Sequence, residues 1–123
     1  MIFKKCPMCS HLWQTREEFL NSPDIKLIGY QAAFNNPEKG LYLFNHMDPN
    51  CGSTLSIQVS LFRDLYVGPV YDRPKTGTEE CQRHCLNLRN LQPCSAHCSL
   101  AYIREIMQLI LKKESSPKVL NRQ

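Results

Sequence analysis

Eight side chains in this sequence have the types and spacings to hold metal. Seven cysteines in 123 residues exceed ordinary usage, so thiol chemistry must account for them. The strongest pattern lies in the back half. Cys81-Gln82-Arg83-His84-Cys85 is followed eight residues later by Cys94-Ser95-Ala96-His97-Cys98. On a helix, residues i and i+4 share a face, so Cys81 and Cys85 would point the same way. Cys94 and Cys98 bracket the start of a second expected helix. A short connection over residues 86–93 lets the two elements fold back, bringing four sulfurs toward one point. Four thiolates suit zinc or an iron–sulfur cluster, and helix N-termini would stabilise their charge. Zinc ranks first, an iron–sulfur cluster second, and a pair of disulfides third.

The front half offers a second set: Cys6, Cys9, His46 and Cys51. Two cysteines two residues apart on a turn supply half of a tetrahedral site. His46 and Cys51 flank a loop rich in ligand types and supply the other half, with His11 as an alternative fourth ligand. Gly52 after Cys51 tolerates a left-handed turn. His84 and His97 read as exposed residues, each able to replace a cysteine as ligand. Residue order disfavours covalent haem: the attachment pattern is Cys-x-x-Cys-His, and here each His precedes the second cysteine of its unit. A catalytic zinc keeps one position open, whereas each set here offers four ligands. No nucleophilic triad, phosphate-cradling glycine loop or paired-carboxylate motif stands out. The expectation is a non-enzymatic protein.

Composition narrows the class. With 42% apolar and 21% charged residues, the chain can bury a core. No apolar segment follows Lys4 and Lys5 in the manner of a secretory signal, and no stretch reaches the roughly 18 apolar residues of a membrane span. The expected compartment is the cytoplasm, where thiols stay reduced and cysteine clusters favour metal over disulfides. An odd cysteine count agrees. The formal charge of +4 invites a nucleic-acid reading. Zinc weakens it: one ion with three thiolates lowers the charge by one, and one with four lowers it by two, leaving +1.

The elements that must position these ligands are legible from local pattern. Short strands flank the Cys6–Cys9 turn, the second ending at Leu12-Trp13. Thr15-Arg16-Glu17-Glu18 is a capping box, predicting a helix over Arg16 to Leu20 that stops at Ser22-Pro23-Asp24. Strands are expected over 25–34, 41–45 and 54–59, the last from the alternation of Leu55, Ile57 and Val59. Phe62 to Tyr66 reads as a helical turn and Gly68 to Gly77 as a linker. Thr78 would cap a helix to about Leu88, and Ser95 one to about Lys113. Leu100, Ile103, Met107 and Ile110, widened by Ile106 and Leu109, form an apolar stripe on the latter. Trp13, Tyr30, Tyr42 and Phe44 read as core packing rather than a platform for bases.

Residues 1–60 resemble zinc ribbons, on Cys6-Pro7-Met8-Cys9 and on His46 with Cys51-Gly52 between two strands. The resemblance implies a structural zinc held by two hairpins. The His46-x4-Cys51 spacing departs from the second Cys-x-x-Cys of that class. Cys-Pro-x-Cys after a strand is also similar to glutaredoxins, but Ser10-His11-Leu12-Trp13 follows where that family has a long helix. The twin Cys-x3-Cys units are similar to disulfide-bonded helical hairpins of the mitochondrial intermembrane space, whose connection is longer. The expected fold is α+β: a zinc-ribbon-like antiparallel β-meander over 1–66, a linker over 67–80, a four-cysteine helical hairpin over 81–113, and a tail over 114–123. The expected cofactors are two zinc ions, with an iron–sulfur cluster as the alternative at the second set. The expected partner is a protein or a second copy meeting the C-terminal helix, with nucleic acid less favoured and no membrane. The expected role is a structural or interaction module; the alternative is iron–sulfur electron transfer or redox sensing.

Overall fold

The structure is a computed structural model and describes residues 2–115. Two short strands, β1 (Lys4–Lys5) and β2 (Leu12–Trp13), pair antiparallel on either side of the Cys6–Cys9 turn. Helix α1 (Arg16–Leu20) begins where the capping box places it. The Thr15 hydroxyl accepts from the Glu18 amide at 3.0 Å, and the Glu18 carboxylate reaches back to the Gln14 amide. The helix is short and is held by burying Phe19 and Leu20.

Three longer strands form an antiparallel meander in the order β3-β4-β5: β3 (Ile25–Gln31), β4 (Leu41–His46) and β5 (Thr54–Gln58). Alternation sets the faces. Leu27, Tyr30, Tyr42, Phe44, Leu55 and Ile57 are buried, while Lys26, Thr54 and Gln58 face solvent. Leu27 pairs with Phe44 and Tyr30 with Tyr42, so a bulge at Ile28 restores the inward phase. The chain then runs through a 3-10 segment, Val59–Leu65, which buries Val59 and Phe62.

Helix α2 (Ala101–Ser115) closes the core. Ile103, Ile106, Met107 and Ile110 are fully buried in one apolar cluster with Phe19, Phe44 and Trp13, whereas Leu109 stays outside. The Tyr42 hydroxyl donates to the Ile103 carbonyl at 2.7 Å inside this core. The outer edge of β3 is covered too. Its Leu27 amide donates to Glu114 at 2.7 Å, and its Tyr30 amide to the Leu88 carbonyl at 2.8 Å. Gly29 permits the latter approach, since a Cβ there would stand 2.7 Å from the Leu88 oxygen.

The α+β class holds, but the helical hairpin over 81–113 has only one of its two helices. Residues 78–88 form turns with a single 3-10 turn, His84–Leu86, and α2 starts at Ala101 rather than near Ser95. The reason is competition for amides. Cys81 Sγ accepts the Arg83 amide at 3.3 Å, and Arg83 itself has φ +65°. Gln82 and Glu80 side chains accept the Ser95 and His97 amides at 3.1 and 2.6 Å. The Ser99 amide donates to the Arg73 carbonyl at 2.9 Å. The Arg83 and Ser99 amides are thereby taken from the helical ladders expected there, whereas the Ser95 and His97 amides would be free of intrahelical bonds at a helix start in any case. Among the described residues, no helix is long and apolar enough to cross a membrane. The tail expected over 114–123 lies outside the described residues from 116 onward.

Candidate metal centre

Cys6, Cys9, His46 and Cys51 converge. Their ligand atoms all lie within 4.8 Å of one another. Cys6 Sγ is 3.5 Å from Cys51 Sγ, and Cys9 Sγ is 3.6 Å from His46 Nδ1. A tetrahedral zinc with Zn–S near 2.3 Å separates its sulfurs by about 3.8 Å, so the cage has the right size.

Each ligand is fixed by an element. The first pair sits on the turn between β1 and β2, where the Cys6 amide donates to His11 and the Ser10 amide to Cys6, both at 2.9 Å. Ser10 takes φ +67° to close that turn. His46 is the last residue of β4, not a loop residue; it is 1% exposed, and its amide donates to Ser53 at 2.8 Å. Cys51 follows a turn in which the Asn50 amide donates to the Asp48 carboxylate at 2.8 Å. Gly52 has the left-handed φ of +70° expected of it. His11 is outside the convergent set and instead packs on Trp13, 4.6 Å between ring centres.

The surroundings favour thiolates. Backbone amides two residues on face each sulfur: Met8 for Cys6, His11 for Cys9 and Ser53 for Cys51. The Ser53 hydroxyl lies 3.2 Å from Cys6 Sγ and 3.0 Å from Cys51 Sγ. Burial opposes ionisation of Cys6, yet Ser53, the Cys9 and Met8 amides and His46 outweigh it and bring the thiol down to about 5. Ser53, through its hydroxyl and its amide, lowers Cys51 as well. The His11 amide favours the Cys9 thiolate, but burial and the Cys6 and Cys51 sulfurs push that thiol up. Three sulfurs this close cannot all ionise cheaply without a cation among them.

Two residues that sequence reasoning did not single out complete the arrangement. Asp24 Oδ2 stands 3.0 Å from His46 Nε2 and fixes the ring so that Nδ1 faces the sulfurs. Asp24 is itself held by the Ser22 hydroxyl. In the sequence, Ser22-Pro23-Asp24 carried only a helix-stop signal. Ser53 carried none beyond lying two residues after Cys51. Asp24, His46 and Asp48 form a second set within 4.8 Å, but it shares His46 and offers carboxylates, which suit harder cations. With zinc on the sulfur side, Asp24 is an orienting partner. Asp24→Ala is expected to weaken zinc binding about 10–100-fold by chelator competition, and Asp24→Asn, which keeps an acceptor, to weaken it less. Unchanged affinity in the alanine variant would remove Asp24 from this role.

The second set is arranged differently. Cys81, Cys85, Cys94 and Cys98 all line one small cavity of about 20 Å³, together with Arg104. No three of these sulfurs are drawn within 4.8 Å of one another. His84 lines the same cavity, with its Nδ1 3.0 Å from the Asn90 amide nitrogen, whereas His97 stacks on Tyr71 at 4.6 Å and is not part of the lining. All seven cysteines are free thiols. No protein-family model matches the chain, and neither a curated protein nor a solved structure resembles it at a significant level.

Proposed function

We propose that this chain is a non-enzymatic module stapled by zinc at Cys6, Cys9, His46 and Cys51, and that it acts by presenting its folded surface to a protein partner. The observation that carries the reading is the convergence of three sulfurs and one imidazole nitrogen within 4.8 Å, oriented by Asp24. That donor set suits zinc, and four protein ligands leave no open position for substrate or water. The metal would supply folding energy that two-residue strands cannot. A reducing compartment such as the cytoplasm is the setting in which these thiols serve as ligands.

The partner reading rests on apolar exposure. Val67 is 96% exposed, and Leu61 and Leu109 are half exposed. Leu65, Tyr66, Val67 and Leu109 border a shallow depression with Glu105 and Gln108, so α2 contributes its flank while its main stripe is spent on the core. Sedimentation of the zinc-loaded chain tests the case in which the partner is a second copy.

Metal content is the primary test. Cys51→Ser is expected to abolish zinc binding at this site, read as zinc per chain after purification without oxygen. Retention of the full wild-type zinc content would overturn the ligand assignment. The competing reading, electron transfer or redox sensing through an iron–sulfur cluster at Cys81, Cys85, Cys94 and Cys98, predicts a brown protein containing iron and labile sulfide.

A further inference from the structure

We infer that Cys81, Cys85, Cys94 and Cys98 bind a single zinc ion as four thiolates, a second site independent of the first. Four observations converge on it.

The first is the hydrogen bonding of the sulfurs. At the front site each sulfur faces the amide two residues on. The same relation recurs here, from Arg83 to Cys81 at 3.3 Å and from Leu100 to Cys98 at 3.5 Å. Cys98 also accepts the Lys75 amide at 3.2 Å. A thiol is a weak acceptor, so two amide donors turned onto one sulfur fit the acceptor role of a metal-ligating sulfur.

The second is charge. Arg104 is 0% exposed, and among the described residues it forms no ion pair with a carboxylate. Its guanidinium donates to the Gln92 carbonyl at 2.6 Å, to the Asn90 carbonyl, and to Cys85 Sγ at 3.5 Å. A buried cation needs a counter-charge. Zinc with four thiolates carries −2 and lies where Arg104 points; two disulfides are neutral and would leave Arg104 uncompensated.

The third is an orphan donor. The Tyr30 hydroxyl is buried without a hydrogen-bond partner, and Cys85, Cys98 and Arg104 are among its electrostatic neighbours. No sulfur lies within its hydrogen-bond range as the chain stands, so it would gain an acceptor only as the cage closes.

The fourth is size. A cavity of about 20 Å³ holds roughly one water-sized atom, hence one ion. An iron–sulfur cluster, with two or four irons and their bridging sulfides, needs several times that room. The sulfurs stand wider than a zinc cage requires, so binding needs the turns and the one 3-10 turn that carry them to close around the ion, which a helix would resist.

The test is a zinc census on the chain purified without oxygen, by native mass spectrometry. Wild type is expected to hold two zinc ions, Cys94→Ser one, Cys51→Ser one, and the double variant none. One zinc in wild type, lost in Cys51→Ser and kept in Cys94→Ser, overturns this site and leaves the front one standing. One zinc kept in Cys51→Ser and lost in Cys94→Ser supports this site and overturns the front one. Iron with labile sulfide, or a mass short of two hydrogens per bridge with no second zinc, also overturns it. Should Cys94→Ser fail to fold, X-ray absorption of wild type decides: about 3.5 sulfurs per zinc is expected for the two sites together, and an average of three overturns the second. Cys94→His, which keeps a zinc ligand, is expected to restore the count to two.

Discussion

Stripping zinc from the Cys6, Cys9, His46 and Cys51 site is expected to lower the thermal midpoint of the protein by about 12–24 °C. A ligand present at a thousand times its Kd contributes about 4 kcal/mol to the folded state. For a chain of this length each kcal/mol moves the midpoint by about 3–6 °C. The loss should begin locally. Strands β1 and β2 have two residues each, and an isolated two-stranded hairpin is marginal even when longer. Amides of the Cys6 turn, such as Cys6 to His11 and Ser10 to Cys6, should therefore lose hydrogen-exchange protection first. Protection in the buried core of β4, around Tyr42 and Phe44, should persist longer. Calorimetry with and without a chelator checks the shift, and zinc should restore the midpoint where magnesium does not, because sulfur and imidazole donors discriminate against hard cations. An identical midpoint in chelated and zinc-loaded protein would sink the structural role.

The contrast between the two ends of the chain shows what a sequence discloses. The front elements were legible because local signals and tertiary demands agree. Thr15 and Glu18 announce α1 and then make the capping bonds. Leu55 and Ile57 alternate inward as a one-sided strand must, and the three strands of the meander fall within a few residues of their expected bounds. Cys6, Cys9, His46 and Cys51 were legible as ligand types with turn residues around them, and they meet. What hid was interaction at a distance. Asp24 lies 22 residues from His46, and no periodicity links them. In the back half, the i, i+4 spacing of Cys81 and Cys85 argued for a helix. Yet the Cys81 sulfur there accepts the Arg83 amide that the helical ladder would use, so the spacing that suggests a helix belongs to a residue that helps dismantle it. Arg104 carried no signal of its own in the sequence. Only the fold reveals that it points inward.

Arg104→Met is expected to destabilise the protein by about 3–5 kcal/mol, because it removes a buried cation whose partners cannot turn to water. Methionine keeps most of the side-chain volume, so the loss would not come from a cavity. It leaves the Gln92 and Asn90 carbonyls without their donor and the Cys85 sulfur without its neighbouring charge. Arg104→Lys keeps the charge but not the fork that spans these acceptors, so it should fall between wild type and the methionine variant. Urea unfolding reads the effect as a shifted midpoint at unchanged slope. A double-mutant cycle with Cys85→Ser then separates packing from charge. If Arg104 balances a thiolate cage, the two substitutions should couple by more than about 1 kcal/mol, since neither loss can be counted twice once the pair is gone. Additivity within about 0.5 kcal/mol would mean that Arg104 is held by the Gln92 and Asn90 carbonyls alone. The coupling should also depend on zinc. It should be large in the loaded protein, where zinc and its four thiolates together carry −2, and small after chelation, when those thiols can take up protons and the guanidinium loses its anion.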